Sequence, residues 1–374
     1  MDQPSSPVTA APVPTPFGVK LRRYARAAWD RTWDRVDRPL RALAARTSLG
    51  AQLYYLVSSS AFRRECHAVL AGRARYDAEH RAMRESYPLL RRNVHRIEKG
   101  LIMRPRRDVF AEGYIDETVA IYARLRRHEA TLPGGGNPEL TWAHDVLREY
   151  FNVISDGPGT EVARRAFEAT EIGAPQRTPE LIPFHRELAS PPTVEFEDFL
   201  ALCRRRRSVR WFESRPVPRD MLDQAVLAAA ESPSACNRQP FTFRFYDDAA
   251  LIARAARIPM GTAGFEHNFP VFGVIVGELS NYTDERDRHL IYIDGSLAAM
   301  SFCLAAETLG LSTCLINWPD LAERDRQMTQ LLGLRSDQRV VMCLAAGFPD
   351  PEGLVPRSTK KPLDLMRSFN EMTR

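Results

Sequence analysis

The rhythm of apolar and polar positions along this chain changes near residue 195. Before it, apolar residues recur at helical intervals: Leu53, Tyr54, Leu56 and Val57, then Ile115, Val119, Tyr122 and Leu125. Spacings of three and four put side chains on one helical face, so residues 51–131 are expected to be largely helical. Pro133-Gly134-Gly135-Gly136-Asn137-Pro138 breaks the pattern. A further helix is expected over 141–153, followed by a Gly/Pro break at 156–160. Pro175, Pro179, Pro183, Pro191 and Pro192 then crowd one short stretch, as in an extended linker, and the domain boundary is placed near residue 190.

Beyond 195 the pattern alternates between two periods. Helices are expected at 196–205 and 219–231, the second with Leu222, Ala225, Val226 and Ala229 on one face. Phe241 to Tyr246 alternates like a half-buried strand, and Val271 to Gly277 runs apolar like a central one. Residues 294–309 are small or apolar nearly all round, which predicts a buried helix. Asp294 is placed at its positive N-terminal end, and Gly310 closes it. Two more strands are expected at 312–317 and 339–346. The mixed order of elements argues for an α+β fold. The organisation read from this is a disordered tail (1–16), a mostly α-helical N-terminal module (17–172), a Pro-rich linker (173–195) and a second domain (196–374).

Composition narrows the classes. The 374 residues are 44% hydrophobic and 26% charged, ordinary for a soluble protein. A net charge of +5 is small for this length. The six cysteines form no CxxC pair and no Cys/His ligand spacing, so neither a disulfide framework nor a metal site is expected, and a cytoplasmic location fits. The N-terminus lacks a signal-peptide layout, and apolar runs such as 269–276 fall short of the ~20 residues of a spanning helix. Residues 17–46 stand apart. Trp29, Trp33, Val36, Leu40 and Leu43 recur at helical spacing, against a face of Lys20 and eight arginines with only Asp30, Asp34 and Asp37. Such a helix either docks on the body of the protein or makes a peripheral contact with an anionic membrane.

Four pieces carry candidate chemistry. Arg206-Arg207-Ser208-Val209-Arg210 gathers guanidinium groups and a hydroxyl that suit phosphate oxygens, although Arg204–Arg207 could simply be a solvated run. Pro233-Ser234-Ala235-Cys236-Asn237-Arg238-Gln239-Pro240 offers small residues and amides able to read the edge of a flat polar ring, or is an ordinary turn. Cys314-Leu315-Ile316-Asn317-Trp318-Pro319 ends a predicted strand. Ser358-Thr359-Lys360-Lys361-Pro362 could complete a phosphate clamp.

In this order, with Glu307-Thr308-Leu309-Gly310-Leu311 and Gly347-Phe348-Pro349 between them, these pieces resemble the nitroreductase family of FMN-dependent oxidoreductases over residues 196–370. The resemblance implies a nitroreductase-like mixed sheet flanked by helices, and a homodimer with FMN at its interface. It assigns Arg206, Arg207, Ser208, Arg210, Lys360 and Lys361 to FMN. Pro233, Ser234, Ala235, Asn237 and Gln239 would line the flavin from the second subunit, and Ile316, Asn317 and Trp318 would approach its central ring. Many family members carry Glu-Gly where Asn317-Trp318 stands, so the tryptophan departs from the pattern. His95-Arg96-Ile97-Glu98-Lys99-Gly100-Leu101 in the added N-terminal module is distinctive: His95 and Lys99, four apart, could face one site with Glu98 within a turn of both, or the run is a helix end capped by Gly100 with ordinary surface charges.

The implied activity is ping-pong hydride transfer from NAD(P)H through flavin N5 to a small organic acceptor. The cofactor carries the chemistry, so no catalytic acid or base is named. The chain has no GxGxxG or GxxxxGK[ST] motif for a separate nucleotide fold. Two alternatives stand beside this one. One is a specialised flavin enzyme: a dehydrogenase, an oxidase, a reductive dehalogenase or a flavin-fragmenting enzyme. The other is a non-redox dimeric scaffold whose basic helix binds a membrane or polyanion. No nucleic-acid partner is expected.

Overall fold

The computed structural model describes residues 37, 39–58, 60–82, 88–129, 137–155, 157, 159–170, 181–186 and 191–370. The tail at 1–16, most of the basic stretch 17–46 and most of the linker 173–195 lie outside them. The chain divides into two units between Arg64 and Glu65. Helix α1 (Ser48–Ser58) belongs to the first and buries none of its residues. Helix α2 spans Ser60–Ala82.

In the second unit, α3 (Pro88–Leu101), α4 (Ile115–Glu129), α5 (Pro138–Val153) and α6 (Glu161–Glu168) share one core. Each supplies a stripe at helical spacing: Leu90, Val94 and Ile97, then Ile115, Val119 and Tyr122, then Leu140, Leu147 and Tyr150. Helix α5 starts where the Gly/Pro break ends. Asn137 Oδ1 accepts the Glu139 amide N–H at 2.9 Å, and Pro138 takes the first helical position, where no N–H is needed. Gly100 has another role than the cap expected of it. It lies inside α3, and its φ is not among the positive ones. A Cβ there would stand 2.2 Å from Cε2 of Phe110, so glycine lets that ring pack on the helix.

The rest of this unit is α+β, as expected. Helices α7 (Phe196–Arg205) and α8 (Arg219–Ala230) precede β1 (Phe241–Tyr246), α9 (Ala249–Ala255) and β2 (Val271–Glu278). Helix α10 (Leu290–Thr308), β3 (Ser312–Asn317), α11 (Ala322–Leu332) and β4 (Gln338–Gly347) follow. The strands order as β1-β2-β4-β3, every neighbour antiparallel, with Phe241 opposite Gly277, Val271 opposite Ala346 and Ser312 opposite Gly347. An isolated parallel bridge from Ser208 to Thr313 lies at the edge beside β3.

Both faces of the sheet are covered, which is why β2 reads as a continuous apolar run. Phe272, Val274 and Val276 enter one core with Cys314, Ile316 and Cys343. Val271 and Ile275 enter the other, with Phe302, Ala298 and Leu344. Gly277 and Gly295 let α10 lie close to the sheet: a Cβ on Gly277 would stand 2.8 Å from Cβ of Ile291. Gly310 (φ +79°) ends α10 in the left-handed conformation, as expected.

Two expectations about α10 change. The helix begins at Leu290, so Asp294 sits in its second turn and not at its cap. Its small and apolar composition is also not all buried, because Ile293 (52% exposed), Leu297 (44%) and Met300 (36%) face outward. By length and composition alone, the stretch Glu285–Thr308 could cross a bilayer; its small residues hide this from a scan for large apolar runs.

Gly100→Ala is expected to destabilise the protein by about 1–3 kcal/mol through the clash with Phe110. Urea denaturation monitored by circular dichroism measures this; wild-type stability in the variant would show that the ring yields freely.

Candidate functional site

As α7 ends, the Arg206 amide donates to Leu202 O at 2.9 Å and the backbone leaves the helix. The segment then lies beside β3, where the Val209 N–H donates to Thr313 O at 3.1 Å. Asn268 fixes its far end. Its Oδ1 accepts the Phe212 amide at 2.9 Å and its Nδ2 donates to Arg210 O at 3.0 Å. This course sends the arginines to different places. Arg207 donates to the carbonyls of Pro356 and Arg357, which ties the C-terminal segment to the motif. Arg204, Arg207, Arg357 and Lys360, with Ser358 and Thr359, line a cavity of about 610 Å³ whose lining holds no carboxylate.

The other predicted phosphate ligands do not line this cavity. Arg206 is half-buried, and its Nε, shielded from solvent, has no hydrogen-bond partner. Arg210 stands 5.6 Å over the Phe265 ring. Burial pushes the Cys303 and Cys314 thiols above their ordinary range, against the opposing pull of Arg206 on the first and Arg210 on the second. Ser208 is held in its bridge to Thr313, and Lys361 is exposed.

The loop 233–240 is strained and internally bonded. Cys236 (φ 54°), Asn237 (φ 52°) and Gln239 (φ 48°) all occupy the left-handed region without being glycine. Such residues cost on the order of 1–3 kcal/mol each and persist only where surrounding contacts impose them. Here the Gln239 amide donates to Ser234 Oγ at 3.0 Å and its Nε2 donates to Asn237 Oδ1 at 3.1 Å. The Ala235 amide donates to Asp294 Oδ2 at 3.0 Å. Pro233 and Gln239 remain exposed, and Ala235 is half-buried.

Asp294 and its neighbours are the part of the site that sequence reasoning missed. The carboxyl is almost fully buried, and burial pushes it above the ordinary carboxylate range, opposed by the Ala235 N–H, the Tyr282 hydroxyl and the Arg238 charge. Burial and the Asp294 charge push the Tyr282 phenol strongly upward. Arg238, also buried, pairs with Asp287 at 3.1 Å and stands 4.8 Å over the Tyr282 ring. The signal available in the sequence is an aspartate amid small and apolar helical residues, a position that also suits a cap.

At the end of β3, Ile316 is buried and Asn317 exposed. The Trp318 indole packs on the core beside Ile316 and donates its Nε1–H to Asp325 at 2.9 Å. Arg339 holds Asp325 from the other side at 3.1 Å. A second cavity, about 590 Å³, opens between residues 212–217 and 266–270, with Glu213, Arg215, Asp247, Glu266 and His267 among its lining.

Residues 203–264 and 264–348 match the model of the Nitroreductase family. Iodotyrosine deiodinase 1 of Homo sapiens is 24% identical over 227 residues, covering 53% of this chain and 78% of its own. Iodotyrosine deiodinase of Hydra vulgaris is 24% identical over 222 residues, covering 51% and 80%. Among solved structures, an FMN-dependent nitroreductase from Clostridium difficile is 24% identical with a TM-score of 0.39, covering 46% of this chain and 99% of its own. NfrA1 of B. megaterium is 18% identical with a TM-score of 0.42, covering 46% and 74%.

Asp294 gives the site a pH signature. Its folded pKa lies above the unfolded value, so its stabilising contribution is present below the unfolded carboxylate pKa and is lost as pH rises through the folded one. Asp294→Asn keeps an oxygen acceptor for Ala235 and is expected to remove that decline. Asp294→Ala leaves the Ala235 N–H unpaired and is expected to cost about 1–3 kcal/mol. Urea melts of the three proteins from about pH 4 to 8 separate these outcomes.

Proposed function

We propose that the nitroreductase-family part of this chain makes it an FMN-dependent oxidoreductase that takes hydride from NAD(P)H and passes it to a small organic acceptor in a second half-reaction. The observation that carries this reading is the cavity at Arg204, Arg207, Arg357 and Lys360, with four cations, two hydroxyls and no carboxylate. That donor set fits the phosphate of FMN. The buried, unpartnered Nε of Arg206 is a further donor that an anionic group could satisfy.

Arg207 and Lys360 would hold the phosphate from opposite ends of the chain's motif set. Ser234, Asn237 and Gln239 present hydroxyl and amide groups on a loop that its own hydrogen bonds and Asp294 hold in one shape, as reading a ring edge requires. FMN, when bound, supplies the two-electron relay between donor and acceptor. The side chains supply placement and positive charge. A second copy of the chain fits the outward stripe of Ile293, Leu297 and Met300 on α10, beside the exposed Leu227 of α8. Homodimerisation through this stripe belongs to the same reading.

Reductive dehalogenation of a small aromatic is the second reading. It is favoured by the iodotyrosine deiodinases among the relatives and by Trp318, whose anchored indole occupies space where many family members have glycine.

Purified protein is expected to carry a flavin spectrum that bleaches on anaerobic addition of NAD(P)H. Absence of flavin after FMN is added back would sink the proposal. Arg207→Ala and Lys360→Ala are each expected to weaken FMN binding roughly tenfold or more, as loss of a charge-assisted contact does; fluorescence titration measures it. Turnover of nitroaromatics or quinones favours the first reading, whereas halide release from a halophenol with little quinone turnover favours the second. Leu297→Glu is expected to yield monomers by light scattering, and an unchanged dimer would remove α10 from the interface.

A further inference from the structure

The positive charge of this chain is concentrated at one end. Residues 17–64 hold eleven lysines and arginines against three aspartates, an excess of eight. The whole chain carries +5, so the remaining residues together are at −3. Within 38–64 there are five arginines, Arg38, Arg41, Arg46, Arg63 and Arg64, and no acidic residue. Asp37 and Glu65 flank the stretch; Asp37 pairs with Arg41 at 2.7 Å and accepts the Tyr54 hydroxyl, and Glu65 lies 3.8 Å from Arg288.

The same stretch is apolar where it meets solvent. Leu49, Leu53 and Leu56 follow one another at intervals of four and three, which puts them on one face of α1. All three are more than half exposed, Val57 beside them is 84% exposed, and Leu43 and Phe62 stand out before and after. A helix with mean apolar character and no buried residue has no packing reason for these leucines.

We infer that residues 38–64 dock this chain on the surface of an anionic lipid bilayer, with the leucine face of α1 entering the acyl boundary and the arginines meeting lipid phosphates. Charge and apolarity select this occupant together. A nucleic acid or other hydrophilic polyanion would meet the arginines and leave the leucines in water. A second copy would cover the leucines but bring two arginine-rich stretches together, where the flanking Asp37 is already paired with Arg41. An anionic bilayer satisfies both, its phosphates lying directly above hydrocarbon. The apolar segment is too short to span, so the contact is peripheral. This inference is independent of the flavin reading.

Sedimentation of the full chain with vesicles tests it. Phosphatidylcholine vesicles containing about 30% phosphatidylglycerol are expected to capture the protein at low salt, and pure phosphatidylcholine to capture far less. Raising salt to about 0.5 M should release most of the bound protein. Arg46→Gln and Arg63→Gln should each lower partitioning roughly fivefold on anionic vesicles alone. Leu53→Asn with Leu56→Asn should lower it on both compositions. The far-ultraviolet spectrum and the urea midpoint report whether the variants fold, and the arginine pair keeps the test open should the leucine pair misfold. Failure of wild type to bind anionic vesicles at low salt overturns the inference. So does binding equal on both compositions, or a leucine variant that changes only the oligomeric state.

Discussion

Asp294 places a buried carboxylate among the small and apolar residues in the first half of α10, and an unpaired charge there would be costly. It is offset by specific partners. Ala235 donates its backbone N–H, Tyr282 its hydroxyl at 3.5 Å, and Arg238 stands nearby over the Tyr282 ring. The consequence runs outward. The hydrogen bond to Ala235 fixes the entry to a loop in which three non-glycine residues adopt left-handed backbone. A loop with that much local strain would relax if its entry were free. One buried acid on a rigid helix thereby sets the shape of the segment that presents Ser234, Asn237 and Gln239.

The helical module reaches the same network from the other side. Gly72 of α2 packs on Leu279, close enough that a Cβ would stand 2.7 Å from its side chain. Arg73 donates to Thr283 O at 2.9 Å and pairs with Glu285 at 2.7 Å, and Arg91 joins Glu139 to Asn281. These contacts clamp residues 279–287, which carry the partners of Arg238 and Asp294. The module therefore does more than sit beside the sheet, because it braces the outer wall of the loop's anchor. Burial pushes the Tyr76 phenol up to about 12, against the opposing pull of the Arg92 and Arg238 charges.

How much of this was legible in the sequence depends on the range of the forces involved. Local periodicity placed all four strands and helices α7 and α8 within a residue or two, because pattern and burial coincide there. Glycines with positive φ, such as Gly310, announced themselves as helix ends. Gly100 did not, since its reason is a contact with a ring ten residues away. Asp294 was misplaced because a helix start at Leu290 depends on packing against β2 and not on a capping residue. The resemblance assigns Arg207 and Lys360 to one ligand, and the hydrogen bonds of Arg207 to the carbonyls of Pro356 and Arg357 appear only in the structure. Nothing local in either stretch dictates that they meet across some 150 residues. The outward stripe on α10 was hidden for the opposite reason: uniform apolarity carries no phase, so it cannot say which face is covered.

The four consecutive arginines at 204–207 show why a run of like charges at a helix end need not be a solvated patch. Successive residues on a helix differ by about 100°, so neighbours diverge. Arg205 pairs with Glu307 at 3.0 Å, and Glu307 also accepts from Ser312 at 3.2 Å, which joins the ends of α7, α10 and β3. Arg206 turns inward, and Arg204 and Arg207 reach the cavity that also holds Lys360. Repulsion within the run is thus relieved for one arginine by a carboxylate. The cavity arginines have no carboxylate in its lining, which favours an anionic ligand there. An anion with three oxygens matches that lining better than a carboxylate with two, since separate guanidinium groups can each be satisfied without sharing one acceptor.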